Sequence, residues 1–413
     1  MSQIDPNTSA PQPPEEAAKS GQLLATGLAL KQKAGGIIVP VMTALLAFVI
    51  GGAVVAATGH DPISAYRDIF NGAGLNWIFH PTTDVSNTAA YNLTQTLLQT
   101  TTLILCGLAV AFAFRCGMFN IGGQGQYFVG LYVANWLGYD FASWSPLPHI
   151  LLCVGGATLA GALWAGIAGF LKATVGAHEV ISTIMLNWIA IWVGEWLFGD
   201  GGPLQNSANK TVPISNDVAD SAKLPVFWGV KELQGLHVGF FVALAALVVF
   251  WAILNRTTLG YEVRAVGFNP DAAAYGGINV KKNLFTAMAI SGAFAGLAGA
   301  LDMTGYLYHY GQSDIPVSSV GFLGIAVALL GRNTAVGTGV SALLFGSLLF
   351  GTTHGLQSGV SSIDPGLASN LTYIIQGLVV LFVGADVLIL YVWNSRKKLR
   401  PKRVAARAKE LAA

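Results

Sequence analysis

Charge is what this chain has least of. Only 10% of its 413 residues are Asp, Glu, Lys or Arg, against about 25% in a soluble globular domain. With 53% hydrophobic residues, 50 glycines and a mean hydropathy of +0.58, that deficit excludes an ordinary water-soluble domain. Cysteine is scarce as well. Cys106, Cys116 and Cys153 lie in or beside apolar runs and form no CxxC pair, so they read as small buried hydrophobes rather than metal ligands or disulfides. Catalytic signatures are missing. There is no G-x-x-x-x-G-K-[ST] phosphate loop, so the chain does not itself bind ATP in that way. His178-Glu179 does not continue into a zinc-binding HExxH, and no Ser/His/Asp or paired-carboxylate cluster marks an enzyme. Charges inside apolar runs are few. Glu195, Asp302 and Asp386 lie toward the ends of their runs, which argues against a carrier built on a deep proton relay.

What is present in quantity is apolar sequence, in runs near the roughly 20 residues that span a bilayer. The runs are continuous rather than alternating with period two, so helices are expected and a barrel is not. The fold class is therefore an all-α polytopic membrane protein. About ten crossings are expected, at Gly36–Thr58, Thr88–Phe114, Phe119–Leu137, His149–Lys172, Glu179–Phe198, Val238–Leu254, Asn283–Leu301, Ser318–Leu330, Thr334–Gly351 and Leu367–Trp393. Basic residues collect at Lys31 and Lys33, at Arg256, Arg264, Lys281 and Lys282, and in Arg396–Arg403. By the positive-inside rule both termini and the central loop are cytoplasmic. The basic tail also admits a lipid- or nucleic-acid-binding reading; the topological one suffices, and no nucleic-acid partner is expected. The organisation is then a disordered N-terminal segment 1–35, a membrane domain 36–393 in the bilayer, and a basic tail 394–413. The membrane domain carries a cytoplasmic loop 255–283 and an external loop 199–237.

Two segments, Phe119–Leu137 and Ser318–Leu330, are short, Gly-rich and flanked by polar residues. They are expected to be broken or half-depth helices, possible only where backbone is covered by protein or lines a cavity. Interrupted segments at matching places in two halves point to a transport site. Small residues in Gly155–Ala162 and Ser291–Ala300 let helix backbones approach closely and report packing rather than substrate.

The strongest local signal is Arg256–Ile278 (RTTLGYEVRAVGFNPDAAAYGGI). Asn269 can cap a short helix that has Pro270 in its first turn, and Gly276-Gly277 can close it. Ala272, Ala273 and Ala274 suit insertion into a groove, and Arg264 suits an acidic or carbonyl-rich rim. The plain alternative is a capped connector. Along the second span, Asn92, Gln95, Gln99 and Thr102 recur at helical spacing. Such a stripe either lines a path or bonds to neighbouring helices. The same two readings hold for Thr183 and Asn187. Glu179 favours its helix start through the dipole or contacts a partner. Aromatics such as Phe119, Tyr127 and Phe322 either offer a stacking face to a ligand or pack.

Four stretches carry a resemblance. They are the central loop with Ile290–Leu301 (ISGAFAGLAGAL), Phe119–Gln126 (FNIGGQGQ), Glu179–Asn187 (EVISTIMLN) and Gly321–Asn333 (GFLGIAVALLGRN). Together they resemble the ABC-importer permeases for ribose, galactosides, branched-chain amino acids and nucleosides, and within them the nucleoside branch. The chain departs from the pattern at Leu323, where a polar residue is common, and at Gln124, where an acid is. The resemblance implies a permease subunit of the bacterial inner (plasma) membrane that imports nucleosides, or alternatively simple sugars. A cytoplasmic ATPase subunit would bind ATP and Mg in its place, a second identical or homologous permease would pair with it, and an external binding protein would deliver substrate. It places ATPase coupling at Arg264, Gly267, Asn269, Pro270, Ala272, Ala273 and Gly277. Substrate-path candidates are Asn92, Gln95, Gln99, Phe119, Asn120, Gln124, Gln126, Asn187 and Phe322. An ATP-independent secondary transporter is the reading outside the class.

Overall fold

A computed structural model describes residues 41–358 except 43, 82–83, 85–86, 209, 231–232 and 317, together with 370, 373–375, 377–378 and 381. The expected N-terminal segment 1–35, the tail 394–413 and nearly all of the expected span 367–393 lie outside them. Twelve helices occur among the described residues. They are α1 (Ala44–Ala57), α2 (Pro62–Gly72), α3 (Thr88–Arg115), α4 (Gly123–Asp140), α5 (Pro146–Val175) and α6 (Glu179–Phe198), then α7 (Gly239–Arg256), α8 (Thr258–Phe268), α9 (Pro270–Tyr275), α10 (Val280–Asp302), α11 (Val320–Leu330) and α12 (Ala335–Ser358). Six of these are long and apolar enough to cross a membrane, or seven if the α1–α2 pair, bent by 117°, is one span. The two weak expected segments are both helical, and only the second is short: α4 has 18 residues, as many as α7. α4 starts only at Gly123, after a non-helical stretch, and α11 has 11 residues.

Local chemistry sets the ends. Asn87 Oδ1 accepts from Ala89 N at 2.9 Å to open α3, and Asn279 Oδ1 accepts from Lys282 N at 3.0 Å to open α10. α5 opens on Pro146 and closes on Gly176, whose φ of +70° favours glycine. Between the first two expected crossings, Asp61 caps α2 through Ser64 N at 2.9 Å, and α2 lays Ala65, Ile69 and Gly72 against α12.

α3 is the centre of the bundle, packed by α10, α11, α12 and α7, and is the most buried of the six spans. α5, α6 and α7 are the least buried and leave large apolar side chains outward, such as Leu163, Trp188 and Val248. Such faces are what a bilayer covers. α5 and α10 meet through Gly161, Gly292 and Gly296, and a Cβ built on Gly161 would sit 2.7 Å from Gly296 Cα. Phe112 of α3, Phe250 of α7 and Phe294 of α10 form a triangle with ring centroids 6.0–6.4 Å apart.

Residues 199–238 fold over one end of the bundle. Strands β1 (Val226–Trp228) and β2 (Leu236–His237) pair antiparallel, and Ser215 N and Val218 N donate to Tyr310 O and Tyr308 O at 2.9 and 2.8 Å. α7 runs from this cap to α8 and α9, and α10 runs back. The cap and the α8–α9 segment therefore lie at opposite ends.

Candidate functional site

The α8–α9 segment is built by its caps. Thr257 Oγ1 accepts from Gly260 N at 3.1 Å to start α8. Asn269 Oδ1 accepts from Ala272 N at 3.0 Å, Pro270 occupies the first turn of α9, and Gly276 and Gly277 end it, Gly277 at φ +82°. Ala273 is buried beneath α9, while Ala272 is exposed. The most exposed large apolar side chains of the segment are aromatic. Phe268 is 95% exposed and Tyr275 98%, one at each end of the short helix. Water-facing aromatics of this kind mark contact surfaces. Sequence periodicity does not single them out, because α9 is too short to display a face.

Two of the residues expected here are tied into the bundle. Gly267 lies against the end of α3, where a Cβ would come within 2.9 Å of Cys116 C and Gly117 N. It is a close-approach glycine that ties α8 to the bundle. Arg264 turns inward and donates to Leu254 O, so its carbonyl-rich rim is in this chain. Glu262, on the other side of α8, accepts from Asn283 Nδ2 at 2.8 Å.

The interior amides converge on the broken start of α4. Asn120 Nδ2 donates to Gln126 Oε1 at 2.9 Å and Ser291 Oγ at 2.7 Å, and Asn120 Oδ1 accepts from Gly122 N at 2.8 Å. Asn187 Oδ1 accepts from Gly125 N at 2.8 Å, and its Nδ2 donates to Ile121 O at 2.9 Å. Gln124 Oε1 accepts from Gly321 N at 2.6 Å, and its Nε2 donates to Ser318 O at 3.1 Å. The N-terminal ends of α4 and α11 thus meet, with Gly321 against the Gly123–Gln124 backbone. Four path candidates, Asn120, Gln124, Gln126 and Asn187, are brought together, each bonded to protein.

The expected stripe on α3 does not face one space. Asn92 Nδ2 reaches Asn71 O at 3.5 Å, and Gln95 Nε2 donates to Leu233 O and Gln234 O of the cap at 3.1 and 3.0 Å. Gln99 is half-buried, and Thr102 bonds inward. α3 has neighbours on every side, so successive polar residues meet different partners. Phe119 packs on Phe114 at 4.9 Å, while Phe322 is 43% exposed on α11. Thr183 donates to Glu179 O within α6 at 2.8 Å, and Glu179 pairs with Lys172 Nζ at 2.9 Å.

Asp302 lies toward the end of its span, as expected, yet is buried within the protein. α10 continues past it as a π-helical turn, Met303–Leu307, which carries the span onward and leaves Asp302 buried to 1% exposure. Its Oδ1 accepts from Thr102 Oγ1 at 2.5 Å and its Oδ2 from Tyr127 Oη at 2.7 Å. Two hydroxyls and a carboxyl from α3, α4 and α10 thus form a closed polar knot. Among the described residues no group of His, Cys, Asp and Glu could hold a metal ion.

Residues 92–384 match the family described as branched-chain amino acid transport system / permease component. The guanosine ABC transporter permease protein NupP of Bacillus subtilis is 39% identical over 88% of this chain and 97% of its own. The nucleoside ABC transporter permease protein NupB of Lactococcus lactis is 30% identical over 92% and 98%. The glucose ABC transporter permease protein TsgB13 of Haloferax volcanii is 32% identical over 83% and 86%. No solved structure matches.

Proposed function

The chain belongs to the permease-component family of the branched-chain amino acid type of transport system, and from that premise we propose that it carries nucleosides inward across a bacterial plasma membrane. The observation that carries the substrate class is the near end-to-end likeness to a guanosine permease, deeper than the likeness to the glucose permease. A simple-sugar substrate is the second reading, and the latter relative favours it.

The energy comes from ATP and Mg held by a cytoplasmic ATPase pair. The Asn269-capped helix α9 seats in a groove of that ATPase, with Phe268 and Tyr275 as its aromatic anchors. A second permease completes the path and an external binding protein meets the cap. The meeting of the α4 and α11 N-terminal ends is the interior closure: opening it breaks the Gln124–Gly321 and Gln124–Ser318 bonds and frees amides that suit ribose hydroxyls and nucleobase edges. Both chain ends lie on the cytoplasmic side, with the basic loop.

Uptake of radiolabelled guanosine, in cells expressing the chain with its neighbouring transport subunits, tests the substrate class. Uptake should require ATP and should be competed by unlabelled nucleosides but not by glucose. Competition by glucose alone would favour the sugar reading; uptake that survives ATP depletion would remove the chain from ATP-driven import.

A further inference from the structure

Where α3 and α7 end, their last turns, α8 and the α11–α12 turn enclose a cavity of about 260 Å³. It is smaller than the ~300–1,000 Å³ usual for drug-sized ligands. Its walls include Arg115, Arg264, Trp251, Asn255, Asn333 and Thr334. Two guanidiniums therefore face one small space, close enough for their charges to act on each other. Among the described residues neither makes an ion pair with a carboxylate. The carboxylate nearest in sequence, Glu262, is engaged by Asn283. Two half-buried cations with no counter-ion are costly to hold together, and an anion between them removes that cost.

The donors are set for it. Arg115 uses Nε and Nη2 on Asn333 O, at 2.9 and 2.7 Å, and Arg264 uses Nη1 on Leu254 O. This leaves Arg115 Nη1 with Arg264 Nε and Nη2, planar donors that match phosphate oxygens. The Arg115 clamp holds a strained turn, in which Arg332 and Asn333 both lie at φ +52°. Backbone of this kind collects at ligand clamps. Asn333 Oδ1 is buried and accepts no hydrogen bond, so the site also has a place for a hydroxyl. One wall belongs to α7, whose outer face is apolar and exposed, and Trp251 is half-exposed there under the Arg256 guanidinium at 5.3 Å. Aromatic rings at a span end mark headgroup depth.

We propose that this cavity is a site for a phosphate group with a neighbouring hydroxyl, the chemistry of an anionic glycerophospholipid headgroup. An occupant here bridges the end of α3 to α8, the helix leading into α9, so it braces the α8–α9 segment against the bundle.

The test uses the full chain, purified and delipidated in a neutral detergent. Phosphatidylglycerol, phosphatidylcholine and inorganic phosphate are titrated separately against the thermal unfolding midpoint, and native mass spectrometry records retained lipid. Phosphatidylglycerol should raise the midpoint and remain bound, and phosphatidylcholine should do neither. Because Arg115→Gln releases the strained turn and risks misfolding, Arg264→Gln carries the comparison. It should weaken the phosphatidylglycerol response by at least about tenfold, the loss of a charge-assisted pair. Lys282→Gln, an exposed cation at the same end of the bundle, should leave it unchanged. An equal response to inorganic phosphate alone upholds the phosphate site and makes its source soluble. No response to any anion, or equal responses from Arg264→Gln and the unsubstituted chain, overturns the proposal.

Discussion

A buried carboxyl that accepts from several hydroxyls is costly to remove, because each donor left behind stays desolvated and unmatched. Asp302→Ala strands the Tyr127 hydroxyl at a site of 1% exposure and leaves Thr102 only its long contact to Leu98 O at 3.5 Å. The loss should be about 1–3 kcal/mol for each stranded donor, read as a lowered unfolding midpoint in detergent. Asp302→Asn keeps one acceptor oxygen and should lose less. An Ala variant as stable as the unsubstituted protein would show that the knot is not a stabilising element. In the sequence Asp302 stands one residue beyond the apolar run that ends at Leu301, since hydropathy does not foresee a π turn that carries the span onward. Asn120, Gln124 and Asn187 were legible as unusual amides in an apolar chain. Their partners on other elements were not, because the bonds to Ser291, Gly125 and Gly321 join segments about 60 to nearly 200 residues apart.

At the level of the helix, the α5–α10 contact rests on backbone meeting backbone. Gly292→Leu would drive a side chain into Gly161 and Ala165. Overpacking of that kind should cost about 3 kcal/mol or more, and loss of a monodisperse detergent peak would report it; a Leu variant that purifies normally would refute the close approach. The small-residue faces were readable because lipid leaves van der Waals packing as the main drive between helices. α9 was equally readable, since Asn, Pro and Gly at fixed offsets are local capping chemistry. α2 and α8 were not anticipated as helices, because each has 11 residues and shows only three or four buried positions. For the seat of the ATPase, Phe268→Ala with Tyr275→Ala should cut uptake and ATPase co-purification about tenfold or more. Both side chains are exposed, so stability should move by no more than about 0.5 kcal/mol. Unchanged uptake would return α9 to the status of a connector.

For the molecule as a whole, the cap and the α8–α9 segment must face opposite aqueous spaces. Single reporters at Ala208→Cys and Tyr275→Cys should be labelled by an impermeant maleimide from opposite sides of intact cells and inverted vesicles. Cys106, Cys116 and Cys153 are buried and should stay silent. Labelling of both reporters from one side would break the topology. Loop charges give the expected orientation that this labelling checks, whereas the packing of the cap onto residues 308–310 left no local trace. The phenylalanine triangle gives that arrangement a mechanical meaning. It pins α7 at Phe250, six residues from Arg256 and eleven from Gly239. With a rise of about 1.5 Å per residue the two arms are roughly 9 and 16 Å long. α7 is then a lever with its fulcrum off centre: a tilt about the pin that shifts the inner end by one unit sweeps the outer end almost twice as far, and in the opposite direction.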